Sequence, residues 1–388
     1  MANQTIIETI TQKFKNLSSK KPLIIRSPGR VNLIGEHTDY NEGFVLPAAV
    51  DKAIYVAIAK REDTKICLLS SEFNEQFECE IKDIAPTEKG WPNYVLGVVD
   101  QLIKNNHSIT GFDLVFDGDV PIGAGMSSSA AIECAVVFAL NHLFNLNIPK
   151  EKMVLMTQKA EHEYAGVKVG IMDMFASMFG KKDHVIKLDC RSITHEYVPL
   201  ILHGYKLVLL NTNVKHSLAS SAYNTRREQC EQGVAMVKNH INNVHSLRDV
   251  TMQMLDEYVQ KKNPEVYKRC TYVVQENVRL LQACEDLIRG DINSLGKKMF
   301  ETHDGLSKLY DVSCKELDFL VDHVRNNDAV LGARMMGGGF GGCTINLVKE
   351  EAIDELIKDT TKAYKESLQQ DLTAYVVEIE EGTSIVQN

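Results

Sequence analysis

The spacing of apolar residues predicts a chain that mixes helices and strands. Apolar residues with helical spacing occur in three early segments, 5–17, 91–103 and 150–164. Between them lie short runs rich in strand-forming residues, at 23–25, 53–60, 65–70, 77–81, 111–116 and 185–188. The first half of the chain is therefore expected to be mixed α/β.

The pattern changes after a strand predicted at 205–211. Residues 226–326 are almost wholly helical in pattern, with breaks at Pro264 and Gly290. Predicted strands at 344–348 and 373–380 then flank a helix at 351–368. Because a single core stops growing near about 250–300 residues, we predict an α+β protein of two domains, 1–204 and 205–388.

Composition and charge narrow the class of protein. The chain is 44% hydrophobic and can bury a large core, as an ordinary soluble globular protein does. Its net charge of −9 argues against a broad nucleic-acid footprint and against attraction to anionic membranes. We therefore expect small-molecule partners, with no nucleic acid and no membrane.

Two further features bear on the location of the protein. The most apolar run, 130–140, contains Glu133 and is far shorter than the ~20 residues that a membrane span needs. The first predicted helix also lacks the apolar core of a signal peptide. The nine cysteines are an odd number with no C-x-x-C spacing, which favours reduced thiols. We expect a cytoplasmic protein.

A glycine and serine segment, 121–131, joins a predicted strand to a predicted helix at 130–144. Gly123 and Gly125 allow backbone N–H groups to approach a ligand closely. The three serines that follow supply hydroxyls and N-cap candidates: Ser127, Ser128 and Ser129. A helix that begins there directs free N–H groups and the positive end of its dipole at an anion, usually phosphate. The alternative is an ordinary strand-to-helix turn.

The sequence motifs of other well-known phosphate-binding loops are absent from the chain. The chain has no Gly-Lys-Ser or Gly-Lys-Thr and no His-Arg-Asp or Asp-Phe-Gly, so the Walker A and protein-kinase motifs are missing. The dinucleotide fingerprint fails because Ser128 stands at its third glycine. Gly337, Gly339 and Gly342 match that fingerprint formally, but β-type residues follow and no helix is predicted there.

A second segment, 27–41, combines many hydrogen-bonding side chains with interleaved apolar residues. Its polar side chains are Arg30, Asn32, Glu36, His37, Asp39 and Asn41. Such a fan of charged and amide groups suits the recognition of several hydroxyls of one polyol. A solvated turn is the alternative, although it leaves the apolar Val31, Leu33 and Ile34 unexplained.

Two carboxylates have candidate roles. Glu161 could hold Mg²⁺ near a bound nucleotide, because Mg²⁺ takes one or two carboxylates together with phosphates and water; a solvated helix face is the alternative. Asp173 stands alone among apolar neighbours in 171–175. Burial of an unpaired carboxylate is costly, so Asp173 is either a helix cap or a general base.

A third segment, 331–343, contains five glycines within the six residues 337–342. Glycine runs lose much backbone entropy on folding and are tolerated mainly where backbone comes close to something else. We predict a loop that faces a ligand or a domain interface.

Together the three segments resemble the galactokinases, a family within the GHMP superfamily of small-molecule kinases. Residues 29–40 resemble the galactokinase signature, 121–131 the phosphate-binding motif of the superfamily, and 334–343 its glycine-rich third motif. The resemblance runs end to end. It implies a two-domain GHMP-kinase-like fold of the α+β class, with mixed sheets and helices and the active site in the cleft between the domains.

The resemblance also implies a reaction, the phosphorylation of the C1 hydroxyl of galactose by ATP with Mg²⁺, the first step of galactose catabolism. Asp173 would take the proton from that hydroxyl or orient it, and Arg30 would stabilise the transferring phosphoryl group. The residues implied to bind the sugar are Glu36, His37, Thr38, Asp39, Gly170, Asp173 and Tyr223.

Nucleotide and metal residues carry over in the same way. Those implied to bind ATP are Ser71, Gly123, Ala124, Gly125, Met126, Ser127, Ser128 and Ser129. Ser129 and Glu161 would hold Mg²⁺. A monomer is expected.

One departure from the family and two rival functions stay open. The family's Cys-Gly-Ile-Met-Asp-Gln reads Val-Gly-Ile-Met-Asp-Met at 169–174, so no amide follows Asp173. A kinase for N-acetylgalactosamine or arabinose would use the same three motifs. A non-catalytic sugar and ATP sensor is disfavoured by the complete serine and alanine run at 127–131 and by the presence of Arg30 and Asp173.

Overall fold

The computed structural model describes residues 3–121, 123–215 and 219–387. Ile122, within the glycine and serine segment, and residues 216–218, ahead of the helical region, lie outside the described residues. The described residues form eleven α-helices, thirteen strands and three sheets. The helices are α1 (Gln4–Leu17), α2 (Asn93–Lys104), α3 (Ser128–Leu143), α4 (Lys150–Ala160), α5 (Met172–Phe179), α6 (Ala219–Lys238), α7 (Met252–Tyr258), α8 (Pro264–Arg289), α9 (Ile292–Gly305), α10 (Lys315–Val324) and α11 (Ile353–Leu368).

Strands make up the rest of the regular structure, apart from short 3₁₀ and π segments. They are β1 (Leu23–Asn32), β2 (Phe44–Val45), β3 (Pro47–Lys60), β4 (Lys65–Ser70), β5 (Glu75–Glu80), β6 (Phe112–Gly118), β7 (His184–Asp189), β8 (Thr194–Pro199), β9 (Tyr205–Lys215), β10 (Val330–Met335), β11 (Gly341–Lys349), β12 (Thr373–Val377) and β13 (Ser384–Gln387). The mixed α+β class predicted from the sequence is confirmed.

The largest sheet has six strands in the order β13-β1-β3-β6-β4-β5, in which β4 and β6 are parallel and the other neighbours antiparallel. Successive side chains of a strand point to opposite faces. Accordingly Ile24 packs in the core beneath α1, whereas Ile25 joins the larger core that contains α3. The sheet is thus covered by helices on both faces.

Helix α3 is the central element of the larger core. Every residue from Ala130 to Leu140 is buried, including Glu133. A helix that is apolar on all sides must be enclosed by other elements, and α3 contacts β1, β3, α2, α4 and α5. Its enclosed position fixes the start of the helix, and with it the glycine and serine segment.

The second half of the chain builds a four-stranded sheet, β10-β11-β9-β12, with helices α6–α11. A third sheet, β2-β7-β8, lies between the halves in sequence. The boundary predicted between residues 204 and 205 falls where β9 begins, but β13 returns to pair with β1 in the first sheet. That boundary therefore stays a prediction.

The predicted elements are mostly found, with differences where tertiary contacts decide. Strand β1 runs on to Asn32, so the first part of the polar segment is strand and not turn. Residues 161–165 are a π-helix rather than the end of α4. Sequence reasoning missed β2, β8, β10 and β13; β2 is two residues long and β8 is largely exposed and polar. The loop predicted at 331–343 is wrong at both ends, because β10 runs to Met335 and β11 begins at Gly341.

Two expectations about the character of the chain can be checked. All nine cysteines are free thiols. In the part of the chain that the structure describes, every helix is too short or too polar to cross a bilayer.

A buried hydroxyl pair attaches the C-terminal strand region to the first sheet, and its removal should lower stability. Thr383 Oγ1 donates to Ser177 O at 2.9 Å and lies 2.8 Å from Ser27 Oγ. Thr383→Val should lower the free energy of unfolding by about 1–3 kcal/mol, since it leaves the buried Ser27 hydroxyl unpaired, whereas Ser177 O still accepts from Thr383 N. Urea unfolding measures this. Thr360→Val is the control, because among the described residues the buried Thr360 hydroxyl has no partner, and an equal loss in both variants would contradict the prediction.

Candidate active site

A cavity of about 570 Å³ brings the three informative segments together. Its walls come from the polar segment, the glycine and serine segment, residues 167–173, Tyr223 and the turn at 337–340. Tyr223 and the turn belong to the second half of the chain, and the remaining walls belong to the first. The cavity therefore lies in a cleft between the two halves, as predicted.

The glycine and serine segment has the conformation expected of an anion-binding loop. Gly123 and Gly125 adopt φ of 76° and 72°, values that favour glycine. Within the described residues, no side chain caps the start of α3, so N–H groups of its first turn are available to a ligand. Of the three N-cap candidates, Ser127 occupies the N-cap position of α3, but its side chain makes no capping bond. The backbone of Ser127 has the left-handed conformation, and its hydroxyl donates to the Asp173 carboxylate instead.

A buried ion pair forms the floor of the cavity. Arg30 Nε and Nη2 donate to the two oxygens of Asp173 at 2.8 and 3.0 Å, a bidentate geometry. Arg30 Nη1 also donates to Gly125 O. Burial alone would lower the pKa of Arg30, but Asp173, Glu36 and Asp39 outweigh it and raise that pKa. Arg30 is thus a permanently charged group between the phosphate loop and Asp173.

Asp173 lies in the first turn of α5 without capping it, since α5 has no side-chain cap bond. Of the two roles considered for this residue, the cap is therefore ruled out. Its carboxylate faces the cavity and accepts from Arg30 and Ser127. The following residue, Met174, is fully buried in the core, so the departure from the family pattern is a packing difference.

Two further carboxylates of the polar segment line the cavity. Glu36 Oε1 accepts from Gly337 N at 2.8 Å and from the fully buried Arg334 Nη2 at 3.1 Å. Burial and the nearby Asp173 raise the pKa of Asp39 to about 6. A Cβ at Gly170 would lie 1.7 Å from Asp39 Oδ2. Only glycine at position 170 leaves room for the Asp39 side chain.

His37 begins a directed chain of hydrogen bonds behind the cavity. Its Nε2 lies 3.2 Å from Gly338 O, which can only accept, so Nε2 carries the hydrogen. Burial lowers the pKa of His37 to about 3, so the neutral ring accepts at Nδ1 from Tyr40 Oη, 2.6 Å away. Tyr40 in turn accepts from Tyr310 Oη at 2.8 Å. Tyr223 packs on His37 with ring centroids 5.1 Å apart.

Hard oxygen ligands meet at the start of α3. Ser129 Oγ donates to Glu161 Oε1 at 2.9 Å, and Glu161 opens the π-helix after α4. Burial, followed by the negative Asp173, raises the pKa of Glu161 to about 7. A hydroxyl and a carboxylate beside a phosphate loop fit Mg²⁺. No group of three or more metal-binding side chains occurs in 3–121, 123–215 and 219–387, so phosphate and water would complete the coordination.

A second cavity of about 420 Å³ adjoins the loop and is mainly apolar. Trp91, Phe73, Tyr164 and Ile132 contribute to its walls, while Tyr94, Ser128 and Ser129 line both cavities. Sequence reasoning placed Trp91 and Tyr94 only on an amphipathic helix. The available signal for this cavity was the single tryptophan of the chain, Trp91, three residues before Tyr94 at a helix start.

Most predicted site residues line the first cavity, and a few lie elsewhere. Those on its wall are Arg30, Glu36, His37, Asp39, Gly123, Gly125, Met126, Ser127, Ser128, Ser129, Gly170, Asp173 and Tyr223. Ala124 is buried, and the Thr38 hydroxyl donates to Gly35 O and Phe44 O. Ser71 lines neither cavity itself, but it lies at the edge of the second one, since its N donates to Phe116 O and Phe116 and Glu72 line that cavity. Glu161 also lines neither cavity and bonds to Ser129 behind the wall. The roles of all the predicted site residues stay predictions.

Three family models match the chain. They are the galactokinase galactose-binding signature at residues 12–60, the N-terminal domain of the GHMP kinases at 93–181 and the C-terminal GHMP-kinase region at 283–366. The galactose-binding signature contains the polar segment 27–41, and the N-terminal domain model contains the glycine and serine segment 121–131. The third contains the glycine-rich turn.

Curated relatives and solved structures agree with these matches. The galactokinases of Thermotoga maritima and Clostridium acetobutylicum are each 40% identical, covering 92% and 97% of this chain and 98% of each relative. The crystal structure of Lactococcus lactis galactokinase complexed with galactose has a TM-score of 0.94 at 34% identity, over 98% of this chain and 99% of that one. A mevalonate kinase with 20% identity and a TM-score of 0.64, over 92% and 99%, shares the fold.

The directed hydrogen-bond chain predicts the protonation state of His37. The ring should stay neutral with its hydrogen on Nε2 between about pH 5 and 8, since burial holds the pKa of His37 low. Nitrogen-15 NMR of histidine-labelled protein distinguishes the tautomers. Tyr40→Phe removes the donor to Nδ1 and should raise the pKa of His37. A ring that titrates in the wild type within this range would contradict the assignment.

Proposed function

The chain belongs to the galactokinase family, and on that basis we propose that it transfers the γ-phosphoryl group of ATP to the C1 hydroxyl of D-galactose. The products are galactose 1-phosphate and ADP, the first step of galactose catabolism. One observation carries the proposal. The sugar signature, the phosphate loop and the Arg30–Asp173 pair surround a single cavity, with Arg30 bonded to both Asp173 and Gly125 O.

The sugar would occupy the side of the cavity formed by the polar segment. Glu36 uses Oε1 for Gly337 and Arg334, which leaves Oε2 to accept from a sugar hydroxyl. Asp39 offers a second carboxylate, and the N–H on Nε2 of His37 can turn from Gly338 O to a hydroxyl oxygen. Tyr223 would pack against the sugar. Gly170 has no side chain and so leaves room for the Asp39 carboxylate.

ATP would enter from the side of the apolar cavity. Its nucleobase fits among Trp91, Tyr94 and Tyr164, and its phosphates would meet the backbone N–H groups of 123–129 and the start of α3. Within that loop Ala124 and Met126 would contribute backbone only. Because Tyr94, Ser128 and Ser129 border both cavities, the γ-phosphate would point toward Asp173 and the sugar.

The chemistry needs little beyond position and charge. Phosphoryl transfer relies mainly on alignment of the nucleophile and on neutralisation of the phosphate oxygens. Asp173 would accept a hydrogen bond from the C1 hydroxyl and take its proton as the bond to phosphorus forms. Arg30 holds Asp173 in place through its bidentate bond and adds positive charge beside the transferring group.

Ser129 and Glu161 would hold Mg²⁺, since their oxygens meet where the phosphates would lie. The bound ion would neutralise phosphate charge. Ser129 lies in the first turn of α3, and Glu161 is fixed by the π-helix, so the fold supplies both ligands from rigid elements.

We also propose that the protein works as a cytoplasmic monomer with domains 1–204 and 205–388. Nine free thiols suit a reducing compartment.

Removal of the Glu161 carboxylate should raise the Mg²⁺ requirement. In Glu161→Gln the Mg²⁺ concentration for half-maximal turnover should rise roughly tenfold or more, because one metal ligand loses its charge. Glu163→Gln is the matched control, since the exposed Glu163 bonds to the exposed Lys104 and to the buried Gln101 and lines neither cavity. Equal Mg²⁺ dependence in the two variants would remove Glu161 from the metal site.

The function is tested by ADP release from Mg·ATP with galactose, N-acetylgalactosamine, arabinose and glucose offered side by side. Turnover chiefly on galactose is expected, whereas preference for another sugar would move the substrate and keep the mechanism. Asp173→Asn should reduce turnover at least about 100-fold while nucleotide still binds. Absence of turnover with every sugar would support a sensor.

A further inference from the structure

Helix α8 of the second half of the chain holds the backbone of the sugar signature. Glu276 Oε1 accepts from Gly35 N at 2.9 Å, Tyr272 Oη donates to Glu36 O at 3.0 Å, and Asn277 Oδ1 accepts from Phe44 N at 2.9 Å. Tyr272 and Glu276 are four residues apart and so share one face of the helix. All three side chains are buried.

Two glycines allow the helix to come this close. A Cβ at Gly35 would lie 2.5 Å from Leu280 Cδ1, and one at Gly43 would lie 2.4 Å from Asn277 Oδ1. Gly35 also has φ of 96°, which other residues avoid. The segment from Gly35 to Phe44 therefore fits against α8 in one register, with the sugar-facing residues between its two attachment points.

The backbone between those points is unfavourable by itself. His37 has φ of 61° and Glu42 has φ of 58°, left-handed values for residues with a side chain. Such conformations persist when the surroundings impose them, and they occur frequently at ligand sites. Here α8 makes hydrogen bonds to the backbone before this stretch, at Gly35 and Glu36, and after it, at Phe44.

Glu276 is itself held in place. Thr302 Oγ1 of α9 lies 3.0 Å from both of its carboxylate oxygens, and Arg279 donates to Oε2. A buried carboxylate with this many donors keeps one orientation. The attachment of Gly35 is thus part of a rigid network and does not depend on one mobile side chain.

We propose that Tyr272, Glu276 and Asn277 are positioning residues for the sugar: they hold residues 35–44 so that Glu36, His37 and Asp39 point into the cavity. This inference rests on the proposed function. None of the three lines the cavity, so they act through the backbone of the signature. Sugar affinity should therefore depend on a helix that touches neither substrate, while the nucleotide side should not.

The test compares Tyr272→Phe with Tyr267→Phe. The first variant removes the hydroxyl that bonds to Glu36 O and keeps the ring; the second removes a hydroxyl of the same helix that bonds to Asp256 Oδ1 at 2.7 Å. Tyr272→Phe should raise KM and the calorimetric Kd for galactose roughly three- to tenfold, with kcat, KM for ATP and Kd for Mg·ADP unchanged. Tyr267→Phe should behave as wild type.

Glu276→Gln gives a second arm, with the exposed Glu285→Gln of the same helix as its control. It should weaken galactose binding in the same selective way, because a neutral amide is a poorer acceptor for Gly35 N. Unchanged galactose affinity in both Tyr272→Phe and Glu276→Gln would overturn the proposal. An equal loss of galactose and Mg·ADP affinity would also overturn it, since that marks general loosening.

Amide exchange separates this inference from the proposed function. Without any ligand, exchange in residues 35–44 should be faster in Tyr272→Phe than in Tyr267→Phe, and exchange at the start of α3 should be equal. If the wild type phosphorylates no sugar, the proposed function fails and exchange alone decides whether α8 holds the signature. Equal exchange in 35–44 would overturn the positioning role whatever the substrate.

Discussion

The arrangement of the site depends on a buried arginine. Arg30 is only 3% exposed, so its charge must be matched inside the protein, because removal of a guanidinium from water costs several kcal/mol. Asp173 supplies a bidentate carboxylate, and Gly125 O takes a further N–H. Arg30 belongs to β1, Asp173 to the first turn of α5 and Gly125 to the loop before α3, so satisfying one charge draws these three segments together.

Because these segments lie so close together, glycine is needed where their backbones meet. The phosphate loop and the turn after β10 lie backbone against backbone. A Cβ at Gly125 would be 3.3 Å from Met336 O, and one at Gly337 would be 3.4 Å from Gly125 O. In the same turn Gly337 N donates to Glu36 Oε1. The nearby Arg334 is fully buried and donates to Asn32 O and Leu33 O. The glycine run is therefore the means by which the second half of the chain reaches the first-half residues of the site.

The two halves divide the work unequally. The first half carries the charged side chains that line the first cavity, whereas the second half supplies Tyr223, the glycine-rich turn and the α8 side chains behind the signature. Helix α8 runs from Pro264 to Arg289 and is capped by Gly290, so the two residues that the sequence marked as breaks stand at its two ends.

The sequence by itself determined the helices with strong apolar periodicity, the glycine and serine loop and the set of polar residues that line the first cavity, because helical period, glycine spacing and residue chemistry are local properties. It did not determine β8 or β13, whose strand character depends on pairing with β7 and β1. Nor did it show that Ser127 bonds Asp173 rather than capping α3, that Trp91 and Tyr94 border a cavity, or that Glu276 holds Gly35. Each of these contacts joins residues distant along the chain, and only the packed fold brings such residues within hydrogen-bond or van der Waals distance.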